Sequence, residues 1–167
     1  YQDEAAAVYW TVGVQAGCAV NASVQHRMYN GEYEIAVDYT QMELIAAIKA
    51  GEFVFHRVNS DIRVLEDINT MVTVTDTVGT VFKDNQTIRV IDELANQDAQ
   101  VFNEKYLGKV PNDEAGRSAL WSDLVKIRQE LQTIRAIENF NEMDVSISQG
   151  DTKKSVVVEN AVTVVNA

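Results

Sequence analysis

Two long segments with a helical spacing of apolar residues stand on either side of a stretch that cannot itself be helical. In residues 84–106 the apolar side chains fall on one stripe, and in residues 113–137 they recur at alternating intervals of four and three. Between them, residues 105–117 read KYLGKVPNDEAGR and contain the only proline of the chain. The sequence therefore predicts a pair of helices joined at a sharp corner, and this pair limits the folds that are available.

Each unusual residue of this corner has a structural reason to be there. Gly108 is typical of the position just past a helix end, and Pro111 prevents the helix from continuing. Asn112 is a suitable N-cap for the second helix, because Asp113 and Glu114 then lie in its first turn. The regular spacing of ligands that a calcium loop needs is absent. The pattern therefore favours a structural corner over an acidic catalytic or metal-binding loop.

The remainder of the chain alternates between helical and strand-like segments. A helix is expected over residues 3–16 with Asp3 as its cap, and a short helix is expected between Thr40 and Gly51. Strand-like runs cover residues 22–30, 32–37, 52–58, 62–66, 143–149 and 153–167. Asn30-Gly31 predicts a hairpin between the first two runs.

This order of segments predicts an α+β fold, in which a mixed β-sheet packs against long helices that include the pair joined at the Gly/Pro corner. We expect residues 1–167 to form a single domain, since no linker or repeat interrupts them. Two short valine-rich runs near the end of the chain, residues 156–158 and 162–165, carry little charge. Such β-branched runs would be exposed strand edges, open to pairing with another chain.

Composition excludes several classes of partner. The net charge of −11 argues against nucleic acid, because phosphate binding needs a basic surface. The sequence shows no membrane-spanning run and no signal peptide, and its single cysteine, Cys18, fits assembly in a reducing cytoplasm. The only net-positive part is residues 105–135, which could meet an acidic partner or form a solvated face of mixed charge.

Catalytic signatures are absent, so the sequence predicts neither an enzyme nor a cofactor or metal. The acid pairs Glu66-Asp67 and Asp92-Glu93 are interpreted as solvated or capping, since neighbours in sequence do not face each other. His26 and His56 are too isolated to suggest a metal site. Asp98 is the unusual residue: it lies near the inner stripe of its helix. There it either needs a basic or backbone partner or lies at the edge of the stripe.

Several motifs of the chain resemble the C-terminal part of contractile tail sheath proteins. The resemblance is to the sheaths of Gram-positive phages, defective prophages and phage-tail-like bacteriocins. The motifs are, in order, GEFVFHR (51–57), IRVLEDINT (62–70), NQTIRVIDELAN (85–96), FNEKYLGKVPNDEAGR (102–117), LQTIRAIENF (131–140) and KKSVVVENAVTVVNA (153–167).

The resemblance implies a structural subunit that assembles as stacked hexameric rings around a tail tube. The sheath then contracts and drives the tube through a target envelope. Implied partners are neighbouring sheath subunits, the tail tube protein, the baseplate and the tail terminator, with no nucleic acid, membrane or cofactor. The implied location is a virion or phage-tail-like particle assembled in the bacterial cytoplasm. Relative to the family, the chain lacks the N-terminal arm, the outer domains and the last C-terminal strand, so we expect it alone to be monomeric.

The resemblance also implies roles for particular residues. Sheath subunits exchange strands through their terminal arms, which makes Val156, Val157, Val158, Val162, Val164 and Val165 candidates for inter-subunit strands. Lys126, Arg128 and Arg135 are candidates for facing the tube, as related sheaths contact their tubes partly through charge. Two other functions stay open: a cytosolic protein-binding module that docks through its helix pair, and a hydrolase that uses paired carboxylates, for which no cleft is evident.

Overall fold

The computed structural model describes residues 4–166 and confirms the α+β class. The helices are α1 (Glu4–Ala16), α2 (Gln41–Ala50), α3 (Asn85–Val101) and α4 (Glu114–Thr133). The strands are β1 (Phe55–Val58), β2 (Asp61–Val64), β3 (Ile137–Glu138), β4 (Val145–Gln149), β5 (Val156–Asn160) and β6 (Thr163–Val164). They pair antiparallel as β1–β2, β3–β6 and β4–β5, so three two-stranded sheets stand where one mixed sheet was expected. The connections within β1–β2 and β4–β5 are too short for the crossovers that parallel pairing requires.

The capping residues in the sequence predicted the position of α2 correctly. The Thr40 hydroxyl accepts a hydrogen bond from the Glu43 backbone N–H, and the Glu43 carboxylate accepts one from the Thr40 N–H in return. Gly51 closes α2 at a φ of 76°, which a side chain would make unfavourable. The helix predicted at the N-terminus is also present, although its expected cap, Asp3, lies outside the described residues.

The hairpin predicted at Asn30-Gly31 is wrong. Neither flanking run forms a strand; Met28 instead makes an isolated antiparallel bridge to Arg63 of β2. The Asn30 side-chain oxygen accepts a hydrogen bond from Trp10 Nε1 at 2.8 Å. Distant partners therefore outweigh the local turn signal here, which is the usual way in which strand predictions fail. The hairpin predicted between residues 52–58 and 62–66 is present as β1–β2.

The chain divides into two compact units, of which the first ends at Ile88. Its core is formed by Val24, Val37, Phe55 and Val64, with one face of α1 packed against them. The ring centroids of Trp10 and Tyr29 are 5.1 Å apart, and that of Phe55 lies 5.6 Å from the Trp10 ring. This aromatic cluster joins α1 to the β1–β2 hairpin.

Asp67 is the polar centre of this first unit. It was interpreted as solvated or capping, and it is instead buried within a hydrogen-bond network. Its carboxylate is 2% exposed. It accepts hydrogen bonds from Gln15 Nε2, Ser23 Oγ, the Val24 backbone N–H and Asn85 Nδ2, at 2.7–3.2 Å. A buried carboxylate is tolerable only with such donors, which here come from segments that are far apart in sequence.

The second unit, Arg89–Asn166, is organised around α4. Four of the five residues spaced four and three apart are buried: Leu120, Leu124, Ile127 and Leu131. The fifth, Ile134, is 44% exposed, because the helix ends there. The predicted end of this helix at residue 137 is too late. Its C-cap is Ile134, and Arg135 follows with a φ of 62°, which the α-helical conformation excludes.

Candidate functional site

In the structure a corner over residues 107–113 joins α3 and α4, and the N-cap of α4 differs from the expected one. The α3 helix loosens into a wider helical turn over Phe102–Tyr106, and Gly108 then takes a left-handed φ of 71°. The N-cap of α4 is Asp113 and not Asn112: Asp113 Oδ1 accepts the Gly116 backbone N–H at 2.7 Å. Asp113 carries the stronger acceptor of the two at a helix N-terminus, because it is charged.

The Asn112 side chain instead forms hydrogen bonds with the loop before β5. Its Nδ2 donates to the backbone oxygens of Lys153 at 3.1 Å and Ser155 at 2.8 Å. Arg117 Nη1 donates to Asn112 Oδ1 at 3.1 Å and so fixes the orientation of the amide. The corner and the loop, separated by about forty residues, are therefore joined through one side chain.

This junction forms one wall of a pocket of about 410 Å³ that opens to solvent. Its lining is mostly apolar and comes from the end of α3, the corner, the first turns of α4 and the start of β5. The lining includes Leu107, Pro111, Asn112, Lys153, Lys154 and Val156. Leu107 is 60% exposed, although it is a large apolar side chain. An exposed apolar surface with a charged rim is typical of an interaction site.

Tyr106 lines the polar side of the pocket and is held there by hydrogen bonding. Its hydroxyl donates to Asp123 Oδ2 at 2.8 Å, and Lys105 Nζ donates to the same oxygen at 3.1 Å. Burial and the neighbouring carboxylate raise the pKa of Tyr106 to about 12. Burial opposes ionisation of Asp123, but the hydrogen bonds from Tyr106 and Lys105 and the positive charges of Lys105 and Lys126 outweigh it and lower its pKa. The phenol therefore stays a hydrogen-bond donor at neutral pH.

A free sheet edge begins beside the pocket. The hydrogen bonds Gly150 N to Ser155 O and Ala161 N to Asp144 O flank the β4–β5 pairing. Because antiparallel strands alternate, the odd-numbered residues of β5 face β4, and the N–H and C=O groups of Val156, Val158 and Asn160 point away from it. Within residues 4–166 no third strand pairs with β5. Val157 and Val158 are also exposed, as expected of an open edge.

The second valine run, residues 162–165, pairs with another segment of the same chain. Val164 pairs with Ile137 of β3, and Val165 N donates to the Ala136 backbone oxygen. Val162, Val164 and Val165 are half-buried, and residue 167 lies outside the described part. Their role in pairing with another subunit stays a prediction, and the stronger geometric candidate is the edge of β5.

The three predicted cationic residues do not form one surface. Arg128 is fully buried, and its guanidinium binds both carboxylate oxygens of Asp98, so it cannot face a tube in this structure. Asp98 thereby has the basic partner that its position required. Lys126 is exposed on α4 and Arg135 is exposed after it, so only these two keep a charge available at the surface.

The sequence analysis missed the pocket and the position of Lys153 and Lys154 at it. The available signal was the lysine pair directly before the valine run, but nothing local connected it to the corner. Among the residues described, no three His, Cys, Asp or Glu side chains are placed to hold a metal ion. No described helix has both the length and the apolar character needed to span a bilayer.

Comparison with known proteins gives a consistent result. The family model for the phage tail sheath C-terminal domain matches residues 77–167, and that for the phage tail sheath protein central domain matches residues 1–70. The Bacillus subtilis (strain 168) phage-like element PBSX protein XkdK is 26% identical over 170 residues. That alignment covers 96% of this chain and 36% of XkdK, so the chain spans about a third of the length of this relative.

Solved structures share the fold. The sheath tail protein from Desulfitobacterium hafniense superposes with a TM-score of 0.86 and 32% identity, over 95% of this chain and 37% of that protein. The helical sheath of the anti-feeding prophage in its contracted state gives a TM-score of 0.68 at 11% identity, over 93% of this chain and 45% of the other. The second likeness concerns the fold alone.

Proposed function

The chain belongs to the phage tail sheath family, and from this premise we propose that it is part of a structural, non-enzymatic subunit of a contractile tail sheath. The observation that carries the proposal is the match of the C-terminal sheath model to residues 77–167, which include the corner, α4 and the free edge of β5. In the complete protein, subunits assemble as stacked hexameric rings around a tail tube. Contraction of these rings drives the tube through the target envelope.

The edge of β5 supports this assembly physically. Strand addition satisfies a row of backbone donors and acceptors without requiring a matching side-chain surface. A strand supplied by a neighbouring subunit would thus cover the outward-facing groups of Val156, Val158 and Asn160. Backbone pairing of this kind keeps subunits connected while their rigid parts rotate, which a contracting cylinder needs. Val162, Val164 and Val165 remain candidates for a second such contact at the end of the chain.

Partners and location follow from the same proposal. The neighbours are further sheath subunits, the tail tube protein, the baseplate and the tail terminator, within a virion or phage-tail-like particle assembled in the bacterial cytoplasm. Of the three tube-facing candidates, Lys126 and Arg135 remain at the surface and can bind an acidic tube. Replacing both by glutamate should weaken binding of the tube protein; unchanged sheath–tube assembly would remove this part of the proposal.

The test is electron microscopy of the full-length protein, expressed alone and together with its tube protein. Hollow cylinders or striated tubes are expected. Dispersed particles under both conditions, at concentrations where other sheath proteins polymerise, would contradict the assembly and leave the family likeness as a likeness of fold. The 167-residue chain alone is the comparison sample, and we propose that it remains monomeric.

A further inference from the structure

The pocket beside the corner is open to solvent and mostly apolar. Leu107, Val110 and Pro111 are exposed at it, and the half-buried Val156 and the buried Leu120 complete the apolar lining. The pocket is held in shape by the Asn112 amide, which ties the corner to the loop before β5. A preformed apolar hollow on a rigid frame is the usual form of an anchoring site.

The rim of the pocket carries positive charge. Lys153 and Lys154 are exposed there, and neither forms an ion pair within residues 4–166. Arg117 adds a third cation at the pocket, although its Nη1 is held by Asn112. The chain as a whole carries a net charge of −11, so a second copy offers many carboxylates to these lysines.

The pocket is continuous with the free strand edge. Val156 lines the pocket and is also the first residue of β5 whose backbone groups point away from β4. A strand added along β5 therefore reaches the pocket where that strand begins. One side chain of the added segment can then enter the hollow, while its neighbour in sequence points toward the opposite face or the rim.

We propose that this pocket anchors an extended segment of a second copy of the protein, through one large apolar side chain and an adjacent carboxylate that pairs with Lys153 and Lys154. The inference rests on the proposed sheath assembly and adds to it the side-chain chemistry that determines which segment is accepted and in which register. Strand addition alone has little specificity, because every backbone offers the same donors and acceptors. The pocket and its two lysines add the side-chain specificity that backbone pairing lacks.

Occupancy of the pocket is measured by protection of a single thiol. The full-length protein carries Leu107→Cys in a Cys18→Ala background and is alkylated with a maleimide, as dissociated subunits and as assembled tubes. Alkylation at position 107 is expected to slow by about tenfold or more on assembly, because thiol reactivity requires access. Met143→Cys, at a 91% exposed position of the same unit outside the pocket, is the matched reference. Equal rates at position 107 in subunits and tubes would overturn the inference.

The carboxylate is identified by zero-length crosslinking. A carbodiimide joins an amine to a carboxylate in direct contact as an amide, with loss of one water. Tubes assembled from a mixture of ¹⁴N and ¹⁵N subunits are expected to give mixed-isotope peptides that link Lys153 or Lys154 to an Asp or Glu. Mixed-isotope crosslinks at other lysines but none at these two would contradict the carboxylate assignment.

These readouts separate the two proposals. Tubes that form with an unprotected position 107 and no crosslink at Lys153 or Lys154 would leave the sheath function intact and overturn the pocket inference. Failure of the parent protein to form tubes would contradict the proposed function, and the inference would fall with it.

Discussion

Asp98 of α3 and Arg128 of α4 form a bidentate ion pair, in which the two terminal nitrogens, Nη1 and Nη2, of the fully buried Arg128 bind the two carboxylate oxygens. Arg128 also donates to the Leu124 backbone oxygen at 3.2 Å. The pair crosses between the two helices that the corner connects. It gives the helix pair one arrangement in which a buried charge is satisfied, and other arrangements would leave that charge unpaired.

Removing one partner of this pair should therefore cost more than removing both. Asp98→Ala leaves Arg128 buried without its counter-charge, and the free energy of unfolding should fall by about 3–5 kcal/mol. Combining Asp98→Ala with Arg128→Met should recover much of that loss. Asp92→Asn, an exposed change on the same helix, is the control and should stay within about 0.5 kcal/mol of the parent. Denaturation followed by Trp121 fluorescence measures this unit; a double variant as unstable as the single one would refute the argument.

Asp67 should be equally important to the first unit. Asp67→Ala removes the acceptor of hydrogen bonds from Gln15, Ser23, Val24 and Asn85 and leaves buried donors unpaired. Each unsatisfied donor costs about 1–3 kcal/mol before relaxation and water entry, so we expect a loss of several kcal/mol, on the order of the cost of a core truncation. Trp10 fluorescence during urea denaturation follows this unit. A loss of under about 1 kcal/mol would show that the network contributes little.

Two glycines in helices should respond to alanine with opposite signs. A Cβ at Gly116 would lie 2.1 Å from the Pro111 backbone oxygen, so Gly116→Ala should lower the free energy of unfolding by about 2 kcal/mol or more. Gly13, inside α1, has nothing within 4 Å of its added Cβ. Gly13→Ala should stabilise by roughly 0.5–1 kcal/mol, because alanine favours the helix and restricts the unfolded chain. The same sign for both variants in thermal denaturation would contradict this account of the corner.

Stability should fall in mildly acidic solution because of His56. His56 lies opposite Arg63 in the β1–β2 register, and its ring centroid is 6.1 Å from that of His26. Burial, then the positive charges of His26 and Arg63, lower the pKa of His56 from its ordinary 6.5. The unfolded chain therefore binds the proton at a higher pH than the folded chain. The stabilisation is complete above pH 6.5 and is lost as the pH falls through the lower pKa of the folded state.

The measurement is the urea midpoint of the first unit at a series of pH values between neutral and mildly acidic. His56→Gln removes the titrating group and should flatten the slope in this range. His26→Gln removes only one of the positive neighbours and should flatten it partly. An unchanged slope in His56→Gln would assign the acid sensitivity to other groups.

Proline can test which face of β5 is used in assembly. The Val158 N–H points away from β4, so Val158→Pro should leave the chain folded and stop the full-length protein from forming tubes. Val157→Pro is the matched control, because the Val157 N–H faces β4 and its loss should disrupt the β4–β5 pair itself. Circular dichroism and electron microscopy on both variants distinguish the two effects. Tubes formed by a folded Val158→Pro protein would exclude strand addition at this edge.

Features that depend on a few neighbouring residues could be predicted from the sequence. Thr40 and Gly51 bound α2 as expected, and the buried face of α4 follows the four-three spacing from Leu120 to Leu131. Such caps and periodicities are local, because the atoms that satisfy them lie within one or two helical turns. The sequence marked Asp98 as unusual but left open whether it has a partner or lies at the edge of the apolar stripe, and the structure shows the partner, Arg128.

Only the tertiary structure decided which distant groups meet. It assigned Arg128 to Asp98 rather than to the surface, moved Asp67 into a buried network, and replaced the Asn30-Gly31 hairpin by contacts with Trp10 and Arg63. It also placed Lys153 and Lys154 beside the corner, forty residues away, and so formed the pocket. The sequence by itself determined that four helices form, where α2 begins and ends, and the resemblance to the family. Partners far apart along the chain are chosen by the combined packing and hydrogen bonding of the whole fold, which no short segment encodes.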